Sequence, residues 1–181
     1  MLTTHADQLT GPWKIYRPGT LRLTESLFQQ HIASPDVHPD KDQQQLRMYY
    51  HGVLPEGQRT RVALSSDGLH FEPLPEVLGV SYFRVFFWQG NYYALGMPGI
   101  LYRSGDGLHH FIQGPQLLPK NARHCAVLVR KSTLYIFYTQ ALDCPESILL
   151  STVPLQKDWI KWQASAPVTV LVPETDYEGA D

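Results

Sequence analysis

The chain repeats itself, and a repeat of roughly forty residues confines it to architectures that set one small unit against the next. Three segments align. The first holds Arg47-Met-Tyr-Tyr-His-Gly52 and then Arg61-Val-Ala-Leu-Ser-Ser-Asp-Gly-Leu-His-Phe71. The second holds Asn91-Tyr-Tyr-Ala-Leu-Gly96 and then Ile100-Leu-Tyr-Arg-Ser-Gly-Asp-Gly-Leu-His-His-Phe111. The third holds Thr133-Leu-Tyr-Ile-Phe-Tyr-Thr139, then Ser147-Ile-Leu-Leu-Ser-Thr152, and closes at Trp159-Ile-Lys-Trp162. Each reads as an aromatic strand, a loop, a strand ending at Ser, a tight turn and a further aromatic strand.

An apolar strand precedes each unit: Ile32 to His38, Ser81 to Trp88, and Cys125 to Val129. Polar turns follow it, at Asp40-Lys-Asp-Gln, Gln89-Gly-Asn and Arg130-Lys-Ser. Asp67-Gly68 and Asp106-Gly107 read as hairpin turns with positive φ at both positions. Four strands per unit predict the blade of a β-propeller. The expected fold class is therefore all-β, with four-stranded antiparallel blades at about 32–74, 79–114 and 123–165. Partial blades are expected at 11–23, around Gly11-Pro-Trp-Lys-Ile-Tyr16, and at 174–181, around Tyr177-Glu-Gly-Ala-Asp181. Thr24-Glu-Ser is the one helical hint and predicts a single turn. Three blades do not close the ring of about four to eight usual for propellers. The chain is accordingly expected to be a fragment, or else to complete a ring with a partner.

Composition agrees with many short strands and turns. Gly numbers 13, Pro 14 and Tyr 10, and Tyr offers both strand preference and a hydroxyl for a polar ligand. The formal net charge of −2 supplies no drive toward nucleic acid or an anionic membrane, so neither is expected as a partner. No apolar run approaches the ~20 residues of a membrane span, and the first residues lack the basic and apolar regions of a signal peptide. A cytoplasmic location is the default expectation. Cys125 and Cys144 have no metal spacing and are expected as two buried free thiols, with a disulfide as the alternative.

In a propeller, ligands meet the starts of the innermost strands and the loops between second and third strands. At the starts lie Asp36 and His38, Ser81 and Arg84, Arg123 and His124, and Glu178. In the loops lie His51 to Arg59, Met97-Pro98, and Asp143-Cys-Pro-Glu146. This set is polar where the strands around it are apolar. Carboxylates, imidazoles and guanidiniums converging there could carry acid–base chemistry on a sugar. The alternative is that they pair with one another as a satisfied channel lining. The turns at Asp67 and Asp106 lack the residue that sialidase Asp boxes carry between Asp and Gly, and they read as hairpin structure, with His70, His109 and His110 on outer strands. No metal site is predicted and no cofactor is expected, with a channel calcium left open.

Ser34-Pro-Asp-Val37, the Tyr-Tyr second strands, the Ser-x-Asp-Gly turns and Tyr177-Glu-Gly-Ala180 together resemble five-bladed propeller glycosidases, the group of family-43 glycoside hydrolases and their relatives. The resemblance spans about residues 11–181. It implies an incomplete five-bladed ring and inverting hydrolysis by three carboxylates at inner-strand starts. Asp36 matches the base position and Glu178 the acid. Three blades separate them in sequence where the family has two, which is the same spacing counted the other way round a closed ring of five. The intervening starts hold Ser81, Arg84 and His124 in place of the middle Asp. His38, Arg84, Arg123, His124, Asp143 and Glu146 are the expected substrate-binding residues. A carbohydrate is the expected ligand. The competing expectations are a non-catalytic carbohydrate-binding or scaffold propeller, and a protein-interaction propeller that associates through exposed blade edges.

Overall fold

The computed structural model describes residue 1 and residues 3–178. Among these there are fifteen strands, three single turns of 3-10 helix and no α-helix. The chain divides into two compact units, Met1–Ser81 and Tyr82–Asp181. Among the described residues no helix is long and apolar enough to cross a membrane.

In the first unit, β1 (Thr4–His5) pairs with β2 (Lys14–Ile15) as a separate two-stranded ribbon. The predicted single turn is present at Leu23–Glu25. The blade follows as β3 (Ile32–Asp40), β4 (Gln45–Leu54), β5 (Gly57–Ser65) and β6 (Glu72–Pro73), antiparallel in that order. Met48, Tyr49 and Tyr50 in β4 are all buried, as a strand covered on both faces requires. One face packs Met48, Tyr50 and Ala63 against Leu21, Phe28 and Phe71. The fourth strand is short because Pro73 and Pro75 remove ladder donors from its run. Residues 79–81, read as opening the next blade, behave otherwise: β7 (Gly79–Val80) pairs with β5, and Thr60 donates its hydroxyl to the Val80 carbonyl at 2.6 Å.

The second unit holds two blades. The first is β8 (Arg84–Trp88), β9 (Asn91–Gly96), β10 (Ile100–Ser104) and β11 (Ile112–Gln116). The second is β12 (Ala122–Arg130), β13 (Thr133–Gln140), β14 (Ile148–Pro154) and β15 (Val168–Leu171). Their shared core includes Leu95, Leu101, Leu134, Ile136 and Val153 at 0% exposure, with Tyr93 tilted on Trp162 at 4.8 Å between ring centres. The fourth strand of the last blade differs from expectation. Trp159–Lys161 is a 3-10 turn, and Val168–Leu171 supplies the strand. Two tryptophans are better buried by a turn than by an outer strand that leaves alternate side chains in water. Trp159 and Trp162 accordingly lie in the core, 6% and 2% exposed.

The Asp-Gly turns also differ in detail. Only the glycines take positive φ, 75° at Gly68 and 73° at Gly107. Each Asp instead folds its carboxylate back over the turn. Asp67 Oδ1 accepts from the amides of Leu69 and His70 at 2.8 and 2.9 Å, and Asp106 Oδ1 accepts from Leu108 and His109 at the same distances. A two-residue loop with both residues at positive φ occurs at Gln89-Gly90, between paired Trp88 and Asn91. Both cysteines are free; Cys125 is buried, but Cys144 is exposed because it lies in the loop between β13 and β14.

Candidate functional site

The inner strand of each blade begins at a kink. Ser34, Tyr82 and His124 adopt φ of 50°, 62° and 52°, a left-handed backbone that costs a non-glycine residue on the order of 1 kcal/mol or more. They are equivalent positions, each three residues before a valine: Val37, Val85 and Val127. Strand register jumps between Ala33 and Asp36 on β3 and between Arg123 and Ala126 on β12. A bulge of this kind re-aims the side chains around it.

In the first unit the kink precedes Asp36 and His38. Side chains two apart share a strand face, and His38 Nε2 stands 2.8 Å from Asp36 Oδ2. The two side chains are 36% and 19% exposed respectively, so the pair is sheltered yet reachable. The His38 ring lies edge-on to buried Tyr49 at 5.9 Å. With Nε2–H donated to the carboxylate, a neutral His38 keeps its lone pair on Nδ1, an arrangement able to take or relay a proton. His51 is buried on β4 and meets the His31 ring edge-on at 5.9 Å.

In the second unit the kinks at Tyr82 and His124 flank an open cleft of about 400 Å³, also lined by Lys120, Asn121, Arg123 and the Met97-Pro98 loop. Arg123 Nη2 is 2.6 Å from His124 Nε2. A guanidinium only donates, so Nε2 is the acceptor and the ring proton sits on Nδ1. Arg123 Nε faces Glu146 Oε1 at 3.7 Å, and the Tyr82 ring meets His124 edge-on at 5.8 Å. Asn121 and Ala141 tie the cleft's loops together: the Ala141 amide donates to the Asn121 carbonyl at 2.9 Å, and Asn121 Nδ2 to the Ala141 carbonyl at 3.4 Å.

The other expected site residues are placed differently. Arg84 turns onto backbone, donating from Nε to the Cys125 carbonyl at 3.1 Å and from Nη1 to the Phe83 carbonyl at 2.9 Å. Ser81 is buried in the first unit. Asp143 is exposed beyond β13, its amide donating to the Gln140 carbonyl at 3.4 Å, and it does not line the cleft. Glu178 is exposed on the 3-10 turn Asp176–Glu178, where a further blade was expected to begin; residues 179–181 lie outside the described residues. Its Oε2 accepts from the Glu174 amide at 3.0 Å, the Thr175 hydroxyl at 2.8 Å and the Thr175 amide at 3.2 Å. These bonds, the Glu174 amide foremost, hold the carboxyl below its ordinary range.

The structure thus brings together Asp36 with His38, and Arg123 with His124 and Glu146. Sequence reasoning missed Tyr82, Asn121 and Lys120. Aligning the blades on Val37, Val85 and Val127 would have found Tyr82, since it then falls opposite His124. Among the described residues no group of three or more His, Cys, Asp or Glu could hold a metal ion.

No family model matches the chain. An uncharacterized protein of Acanthamoeba polyphaga mimivirus, R118, is 31% identical along 211 aligned positions that take in 100% of this chain and 59% of the relative. A solved endo-1,4-beta-xylanase from Bacteroides thetaiotaomicron superposes with a TM-score of 0.65 at 13% identity, covering 92% of this chain and 64% of that one. CoXyl43, a GH43 beta-xylosidase/alpha-arabinofuranosidase from a compost microbial metagenome, gives 0.60 at 14% identity over 91% and 65%. The chain therefore spans less than two thirds of the length of these relatives. At such identities the likeness to solved structures shows the fold: an all-β propeller of four-stranded antiparallel blades, of the kind found in glycosidases.

Proposed function

We propose that the protein acts on a carbohydrate by hydrolysing a glycosidic bond, with Asp36 as the carboxylate base. The Asp36–His38 pair carries this reading. It is a half-sheltered carboxylate at the kinked start of an inner strand, held by an imidazole at 2.8 Å. In inverting hydrolysis a carboxylate takes a proton from the attacking water while an acid protonates the leaving oxygen. His38 would keep Asp36 oriented for the first of these roles. The GH43 enzyme among the similar structures supports glycosidic bonds as the target class.

Glu178 fits the acid role less well. A general acid needs a raised pKa, and the bonds around its own turn lower that of Glu178. That observation favours a second reading, a propeller that binds carbohydrate without cleaving it.

Turnover of aryl arabinofuranoside, xyloside, galactoside and mannoside by the full-length protein separates the two. On the first reading Asp36→Asn lowers kcat by about a hundredfold or more, with the circular dichroism spectrum unchanged. Retained turnover in Asp36→Asn sinks Asp36 as base, and retained turnover in Glu178→Gln removes Glu178 from the chemistry. A folded protein that binds sugars and turns over none of the four decides for the second reading.

A further inference from the structure

We propose that the cleft between Tyr82 and His124 is a subsite for the anionic group of an acidic carbohydrate: the oxyanion of a uronate carboxylate or of a sugar phosphate. The inference rests on the carbohydrate reading above and goes beyond it in naming a charge.

The cleft concentrates basic groups. Lys120 and Arg123 bring an ammonium and a guanidinium group to the lining, and His124 adjoins them. The carboxylate in reach is Glu146, at 3.7 Å from Arg123 Nε, with both side chains about two-fifths exposed (42% and 37%). An exposed pair at that separation is weak and yields readily to a better-placed anion. The chain as a whole has a net charge of −2, so this basic cluster runs against the overall balance.

The geometry suits an oxyanion in particular. Arg123 and His124 meet 2.6 Å apart at the cleft wall, where an anion would accept from the Arg123 guanidinium, and from His124 through Nδ1–H rather than through Nε2. Arg123 offers the planar fork that matches carboxylate and phosphate oxygens. Asn121 adds an amide side chain, and the Tyr82 ring and Met97-Pro98 supply the apolar and aromatic surface on which a sugar ring can lie. Tyr82 and His124 stand at the left-handed bends that open the inner strands of adjoining blades, φ 62° and 52°, and here both residues line one cleft.

Isothermal titration of the full-length protein with four probes tests the inference: glucuronate, glucose 6-phosphate, inorganic phosphate and glucose. At least one acidic sugar should bind more tightly than glucose by about tenfold, and the advantage should fade with added salt. Arg123→Gln should remove that advantage. Glu146→Gln should increase it about two- to fivefold by withdrawing the competing carboxylate. The opposite responses of these two variants separate an anion site from simple loss of fold. Whether glucuronate or glucose 6-phosphate is preferred identifies the source of the oxyanion. Equal binding of glucose and both acidic sugars overturns the proposal. Inorganic phosphate binding as tightly as glucose 6-phosphate overturns its carbohydrate part. Failure here with aryl glycosides still hydrolysed leaves the hydrolase reading intact. Acidic-sugar binding without any turnover leaves the subsite and removes the hydrolase.

Discussion

At the residue scale, one buried ion pair ties the ends of the first hairpin. Arg47 donates from Nε and Nη2 to Asp40 Oδ2 at 3.0 and 2.5 Å, and both residues are under a tenth exposed. The guanidinium of Arg47 holds the Asp40 carboxyl below its ordinary value against the upward push of burial. A carboxyl lowered in the folded state contributes stability that is full above the unfolded value, 3.8, and is lost as pH falls through the folded one. Arg47→Met should cost about 3 kcal/mol at neutral pH, because Asp40 is left buried without its partner. The cost should shrink below pH 3.8 as Asp40 takes a proton. Urea unfolding at both pH values checks this; an equal cost at each would mean that packing, not charge, is what Arg47 contributes. The two thiols should also part company. Burial pushes Cys125 up to about 11, offset in part by Arg84, while Cys144 is exposed. Native protein treated with iodoacetamide near neutral pH should be modified at Cys144 and spared at Cys125, read by peptide mass.

At the scale of elements, the Ser-x-Asp-Gly-x-His turn is the same structure built twice. Ser65 and Ser104 each donate from Oγ to the following Asp at 3.0 Å, and His70 and His109 each donate from Nδ1 to its Oδ2, at 2.7 and 3.0 Å. Tyr16 caps the first copy through its hydroxyl, 2.9 Å from His70 Nε2. For Asp67 the His70 ring is the main cause of a carboxyl held well below the usual range. For Asp106 burial pushes upward, and the His109 ring with the Leu108 and His109 amides outweighs it. Both contributions are complete above 3.8 and fade only in stronger acid, so Asp106→Ala should lower Tm at pH 7 by several degrees and by less at pH 2. A Tm difference that grows on acidification would contradict this account. The 3-10 turn that replaces the expected strand depends on a close approach: a Cβ on Gly114 would stand 2.3 Å from Trp159 Cζ3. Gly114→Ala should destabilise by about 1–3 kcal/mol through overpacking, measurable in the same urea titration.

At the scale of the whole molecule, an edge strand is conspicuous. Among the described residues β15 pairs only with β14, and it carries Val168, Val170 and Leu171 at 50–59% exposure. An apolar strand with an unpaired edge is a template for another chain. The protein is expected to self-associate as concentration rises, and Val170→Lys to suppress this without changing the unfolding free energy by more than about 0.5 kcal/mol. Sedimentation velocity over a concentration series decides it: identical behaviour of the two proteins would show that β15 is not the contact.

Local patterning along the chain was enough to specify the blades. Alternating apolar residues, Tyr-Tyr strands and turn residues at a regular spacing are local signals, and in each four-stranded blade a strand's partner is its neighbour in sequence, so pattern and pairing carry the same information. The inner strands, their turns at Asp40, Gln89 and Arg130 and the single turn near Thr24 were legible for that reason; the sequence placed Asp36 and His38 at one strand start but did not show that they pair. The remaining features depended on contacts between residues distant in the chain. Trp159 and Trp162 left the outer strand because the core of the second unit had room for two large rings, a demand set by residues far away in sequence. Tyr82 became a site residue through a left-handed φ that no propensity favours for an aromatic side chain. Glu178 bonded to its own turn, and Arg84 turned onto carbonyls on β12 and beside it. Side-chain direction depends on which hydrogen-bond partners the fold brings within 3 Å, and strand pattern alone carries no record of them.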